Sequence, residues 1–275
     1  MNKDIFHEIL ATISKIFSDK VLQSSAVANV KNNVNRDVVT ELDIEIHQSV
    51  EQVLKSYKID GLISEEGDSD IKFSDNINNK IILLDPLDGS LNYATGLDFY
   101  CSMIAYIDNG IIEYSGMCIP SIKQLVIFNR SNNSLISSKD MTAITSDLQG
   151  PTYLAYGSTE GEADSRIKSE LIDNIDKYGN GLIRLGSAGY GVYLAATGRL
   201  TGFVGLNIKI CDALQLFPIA RYMGLKIAYG IHGENLNVIM TSNMDLYNSV
   251  NESFKNSGYL LNSFNINERV EVANA

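Results

Sequence analysis

The segment Ile81-Ile82-Leu83-Leu84-Asp85-Pro86-Leu87-Asp88-Gly89-Ser90-Leu91-Asn92 constrains this chain more than any other. Four consecutive large apolar residues, two of them β-branched, read as a buried strand, and the Pro and Gly that follow require the chain to turn at its end. The run stops at two carboxylates, Asp85 and Asp88. A pair of such groups about 4 Å apart repels by roughly 4 kcal/mol at an effective dielectric near 20, so it takes up protons or binds a cation. Leu87 between them offers a backbone carbonyl, a third hard oxygen of the kind that suits Mg²⁺.

At 275 residues, with 45% hydrophobic and 20% charged residues, the chain carries the apolar material for one large or two modest domains. A formal charge of −11 argues against broad binding to a nucleic-acid polymer or an anionic membrane. A metal-binding cleft would account for part of that charge. Cys101, Cys118 and Cys211 are odd in number, far apart and set among apolar residues, which predicts buried reduced thiols and a cytoplasmic setting. The opening MNKDIFHEILATISKIF carries acids and no long apolar stretch, so neither a signal peptide nor a membrane span is expected.

Helical spacing of Ile5, Ile9, Leu10, Ile13 and Ile16, and again of Leu42, Ile46, Val50, Val53 and Leu54, predicts two amphipathic helices joined by a polar flap over residues 26–36. A short strand over 61–64 follows, then a polar loop over 68–80. Strands over 99–107 and 111–119 meet at Asp108-Asn109-Gly110, a hairpin signal because Asn and Gly tolerate positive φ. Residues 125–128 supply the next antiparallel neighbour. A polar, turn-rich stretch over 131–148 places a domain boundary near residue 150, dividing an N-terminal unit (1–149) that holds most of the acids from a C-terminal unit (150–275). The second unit alternates strands and helices, with a helix over 213–222. Mixed elements throughout give an α+β fold, with an antiparallel sheet in the first half and a mixed sheet in the second.

Acids at the ends of apolar elements recur. Glu65 and Glu66 follow one strand, Asp85 and Asp88 end another, and Asp212 opens a helix. Neighbouring strands stopping at one sheet edge bring Glu65 to Asp85, with Asp212 entering from the second unit across a cleft. A helix beginning at Asp88-Gly89-Ser90 would add an anion pocket beside the cations. Each residue alone also has a plainer reading: Asp212 as a helix-dipole acid, Glu65 and Glu66 as solvated loop acids, Ser187 as a helix cap, and Thr40-Glu41-Leu42-Asp43 as a capping box. Arg184 reads equally as a surface ion pair, a phosphate contact or an interdomain contact.

Taken together, these residues resemble the inositol monophosphatase family of Mg²⁺-dependent, often lithium-sensitive phosphatases. Asp85-Pro86-Leu87-Asp88-Gly89-Ser90-Leu91-Asn92 is similar to its Asp-Pro-Ile/Leu-Asp-Gly-Thr/Ser-x-Asn signature. Thr40-Glu41-Leu42-Asp43, Ile63-Ser64-Glu65-Glu66-Gly67 and Cys211-Asp212-Ala213 resemble its other elements, in the family's order. The resemblance implies an αβαβα sandwich, and two to three Mg²⁺ ions: one on Glu65, Asp85 and the Leu87 carbonyl, a second on Asp85, Asp88 and Asp212, and a weaker third on Glu65 and water. It implies that Asp43 and Ser90 orient the attacking water, that the Gly89 and Ser90 N–H groups hold phosphate, and that Glu66 supports the first site. Implied too are a small phosphate ester as substrate and a homodimer. The family's Trp is Cys211 here, and Val204-Gly205-Leu206-Asn207 lacks the acid that inositol-directed members carry. Fructose-1,6-bisphosphatase and 3′(2′),5′-bisphosphate nucleotidase are alternatives on the same metal core, and a non-catalytic metal- or phosphate-binding member is the reading of a different class.

Overall fold

In the computed structural model, which describes residues 3–20, 28–30, 38–67, 71–141, 150–157 and 162–272, these periodicities become five layers. Helix α1 (Lys3–Lys20) is followed by β1 (Ala28–Val30), which pairs antiparallel with β2 (Val38–Thr40), and then by α2 (Glu41–Leu54). The first large sheet takes β3 (Gly61–Ser64), β4 (Lys80–Asp88), β5 (Cys101–Asp108), β6 (Ile111–Ile119), β7 (Gln124–Asn129) and β8 (Ser134–Ser137) in sequence order. Short helices α3 (Phe73–Asn76) and α4 (Ser90–Thr95) flank β4. The second half runs β9 (Thr152–Tyr156), α5 (Glu162–Tyr178), β10 (Leu182–Ile183), α6 (Ala188–Ala196), β11 (Gly202–Lys209), α7 (Phe217–Tyr222), β12 (Lys226–His232), β13 (Asn235–Thr241), α8 (Met244–Asn256) and β14 (Asn262–Ser263). Its sheet has the order β10-β9-β11-β13-β12-β14.

Side-chain alternation sets the layering. Ile82 and Leu84 of β4 pack with Phe6, Leu10, Ile46 and Val50 of α1 and α2, whereas Ile81 and Leu83 join the central core. That core also holds Val192 and Phe217 of α6 and α7, together with Phe203 of the second sheet. On the far side, Leu154, Val204 and Ile239 meet Ile167 and Leu171 of α5 and Val250 of α8. Burying each such side chain contributes about 1.5–3 kcal/mol, so the sandwich is held by apolar contact on both faces of both sheets. The expected αβαβα arrangement is what forms. Among the described residues no helix is long and apolar enough to cross a membrane.

Several elements depart from the sequence reading. The first sheet is antiparallel except that β3 lies parallel to β4, with α3 between them in the chain. Helix α3 and strand β8 occupy stretches read as polar loops. The expected 213–222 helix begins only at Phe217; Pro218 lacks an N–H and is tolerated only in a first turn, and two 3-10 turns precede it. Asp212 therefore closes a 3-10 turn rather than opening a helix. Of the expected flap, residues 28–30 form β1 and the remainder lies outside the described residues, as do residues 142–149 beside the expected boundary. The hairpin signal holds: Asn109 (φ 51°) and Gly110 (φ 77°) both adopt positive φ between the paired Asp108 and Ile111.

Candidate active site

Strand β4 delivers two acids to one place because its ladder with β5 slips by one residue. Asp85 lies opposite Met103 and Asp88 opposite Cys101. Residues three apart on a regular strand face opposite sides, and the extra residue cancels that alternation. Pro86 is accommodated there because β3 has already ended at Ser64, opposite Leu84. The strand thus continues past Asp85, and the turn falls on Gly89 at φ 92°. A Cβ on Gly89 would stand 2.8 Å from the Phe99 carbonyl oxygen, so both its φ and its space demand glycine. Just beyond, Asn92 Nδ2 donates to the Phe99 and Leu185 carbonyls, each at 2.6 Å, tying α4 to the second half.

The parallel register of β3 places Glu65 beside Asp85, and the Glu65 N–H donates to the Leu84 carbonyl at 3.2 Å. Asp212 arrives from the second half, its Oδ2 accepting from the Lys209 N–H at 3.0 Å. Glu65, Asp85, Leu87, Asp88, Ser90 and Asp212 line one cavity of about 540 Å³. Arg184 and Lys209 share its wall.

Electrostatics shows what the cavity favours. Burial, then Glu65, Asp88 and Asp212, push the Asp85 carboxyl well above the usual range. Asp212 is raised in the same direction by burial, Glu65 and Asp88. Asp88 is pushed up to about 6 by burial, against the hydrogen bonds of Ser187, Gly189 and Ala188. Carboxylates that repel one another in a poorly solvated wall favour a cation between them. Lys209 supplies one: its Nζ stands 2.8 Å from Glu65 Oε1. Burial alone would lower the Lys209 ammonium's pKa, but the attraction and hydrogen bond of Glu65 outweigh it and hold it above its ordinary value.

The donor chemistry of this wall fits Mg²⁺, since carboxylates and a backbone carbonyl are hard oxygens. Among the described residues no group of three acidic, His or Cys side chains is already drawn together around one ion position. Two of the acids already have partners in the wall. Glu65 is engaged by Lys209, while Asp88 accepts from Ser187 Oγ at 2.5 Å, the Gly189 N–H at 2.7 Å and the Ala188 N–H at 3.1 Å. Ser187 is also the cap expected for α6, its Oγ accepting from the Tyr190 N–H at 3.2 Å. Sequence reasoning missed this second role of Ser187, and it missed Lys209 altogether. The small-residue run Gly186-Ser187-Ala188-Gly189 was the available signal, because close approach of a carboxylate to a helix start needs little side-chain bulk.

Asp43 combines both of its readings. Its Oδ2 accepts from the Thr40 N–H at 2.7 Å and from Thr40 Oγ1 at 2.6 Å, completing the capping box, while its Oδ1 stands 2.8 Å from Ser90 Oγ. Ser90 Oγ is also 2.8 Å from the Leu87 carbonyl, so a single hydroxyl proton serves two acceptors. Burial raises the Asp43 carboxyl to about 6 against the hydrogen bonds from Thr40 and Ser90.

An αβαβα sandwich whose acid-lined cavity lies where β4, β11 and α6 meet defines the class of protein. The sequence model of the inositol monophosphatase family matches residues 4–243, and the chain belongs to that family. It is 23% identical over 200 residues to a fructose-1,6-bisphosphatase/inositol-1-monophosphatase of Thermotoga maritima, covering 72% of this chain and 74% of that one. It is 26% identical over 221 residues to a protein of Xylella fastidiosa named Nus factor SuhB, covering 78% and 74%. A solved IMPase/NADP phosphatase complexed with Mg²⁺ and phosphate superposes with a TM-score of 0.71 at 19% identity, covering 93% of this chain and 95% of that one, which establishes the shared fold.

Proposed function

We propose that this chain is a Mg²⁺-dependent phosphoric monoester hydrolase in which water attacks phosphorus directly. The observation that carries the reading is Ser90 Oγ, 2.8 Å from both Asp43 Oδ1 and the Leu87 carbonyl on the wall of an acid-lined cavity. A cation store has no use for that pair, whereas a hydrolase uses it to aim water. Glu65, Asp85 and the Leu87 carbonyl would hold one Mg²⁺, and Asp85, Asp88 and Asp212 a second. Bound Mg²⁺ lowers the pKa of a water and neutralises the departing ester oxygen. Ser90 donates to Asp43 Oδ1 and turns its lone pair towards that water, fixing its direction of attack. The Gly89 and Ser90 N–H groups receive the phosphate oxygens. No side chain serves as nucleophile, so no phosphoenzyme forms.

The substrate is a small phosphate ester of the inositol-phosphate or sugar-phosphate type. Support comes from family membership and from a fold neighbour described as complexed with Mg²⁺ and phosphate. The absence of an acid at Val204-Gly205-Leu206-Asn207 favours sugar phosphates over inositol phosphates. Cytoplasmic location, a homodimer and lithium inhibition belong to the same reading. A non-catalytic member is the second reading, supported by the relative named Nus factor SuhB. A phosphate-release screen across inositol phosphates, sugar phosphates and adenosine bisphosphates, with and without Mg²⁺ and Li⁺, separates the two. Release that depends on Mg²⁺ is expected; none from any substrate would leave the binding role.

A further inference from the structure

We infer that Lys209 is a resident counter-cation of this cavity, an ammonium seated on Glu65 that limits how tightly, and in what number, divalent ions bind. The inference rests on the metal-dependent reading above and adds a residue with no part in it. Lys209 touches two of the acids at once: its Nζ stands 2.8 Å from Glu65 Oε1, and its N–H donates to Asp212 Oδ2 at 3.0 Å. Its placement is built into the strand. Ile208 is buried in the central core and reaches the cavity wall from that side, while Lys209, the last residue of β11, stands half-exposed at the cavity's rim. The register slip of β11 between Gly205 and Ile208 sends Leu206 and Ile208 to different cores and so fixes how the strand end carrying Lys209 meets the cavity.

Charge balance gives the consequence. When all are ionised, as in binding divalent ions, Glu65, Asp85, Asp88 and Asp212 bring four negative charges, and Lys209 returns one positive charge. A divalent ion bound through Glu65 must displace the ammonium or sit beside it, and either costs affinity. At a pair of this exposure the contact contributes little to folding, since the Lys209 side chain is 50% exposed. Its effect falls on the ions instead.

Calorimetric titration of Mg²⁺ into the metal-free full chain tests this, with Lys209→Met, Lys209→Gln and Lys209→Arg beside the wild type and thermal melting to confirm folding. The neutral variants are expected to bind Mg²⁺ about tenfold more tightly or to take up an additional ion, because one repelling charge has gone. Lys209→Arg keeps the charge and should titrate like the wild type. Wild type that binds Mg²⁺ together with neutral variants that bind it no better overturns the role of Lys209 and leaves the phosphatase reading standing. Absence of Mg²⁺ binding in every protein overturns both.

Discussion

Strands β4 and β11 end alike and deliver differently. Each carries a one-residue slip in its ladder near its end, at Asp85/Asp88 and at Gly205/Ile208. On β4 the slip lies between two buried carboxylates, with Asp85 only 1% exposed and Asp88 9%. On β11 the slip precedes a half-exposed lysine, and Asp212 follows through a 3-10 turn. A bulge can therefore fix acids in the core or set a cation at the rim. The first half supplies the fixed part of the site and the second half its adjustable charge.

The largest expected effect lies on β4. Asp85→Asn should lower Mg²⁺-dependent turnover by about 10³-fold or more with the circular dichroism spectrum unchanged, because both proposed ions share this carboxylate. Near-normal turnover would remove the bridging role. Asp212→Asn should cost less, about 10²-fold, if the second half modulates a site the first half fixes. Equal losses in the two variants would erase the distinction between the strands.

Stability effects come next. Gly89→Ala should destabilise the fold by about 2–3 kcal/mol in urea titrations, since a Cβ meets the Phe99 carbonyl and φ is positive. A loss under about 0.5 kcal/mol would show that the turn yields. Removing the capping hydroxyl with Thr40→Val should cost about 1–2 kcal/mol.

The pH response is the smallest effect. Asp43 and Asp88 sit at about 6 in the fold, against an ordinary 3.8. Raised carboxyls stabilise fully below their unfolded value, and that stability is lost as pH rises through 6. The metal-free protein should therefore melt about 2–4 °C higher at pH 5 than at pH 7. A melting temperature that falls on acidification would contradict the burial of these groups. Turnover should decline below about pH 6, as Asp43 takes up a proton.

Much of this was legible in the sequence because it is local. The apolar run of β4, the Asn-Gly hairpin, and the helical spacing of α1 and α2 each follow from neighbouring side chains. Pairing of Glu65 with Asp85 followed from two strands ending together. The bulge was not legible, because Pro86 and Gly89 announce a turn and the slip becomes visible only against Met103 and Cys101. Nor was the contact between Asp88 and α6, since it joins segments about a hundred residues apart through backbone N–H groups that every sequence possesses. Lys209 escaped notice because a lysine in a strand usually faces solvent, and only the fold sets this one on Glu65.

The Asp88 carboxylate is shared property. The Ala188 and Gly189 amides already draw on its electrons, and an ion that joins would share the carboxylate with them. The cavity is thereby tied to the start of a helix at the heart of the sandwich. Hydrogen–deuterium exchange at those two amides, with and without Mg²⁺, reads that tie without a substrate.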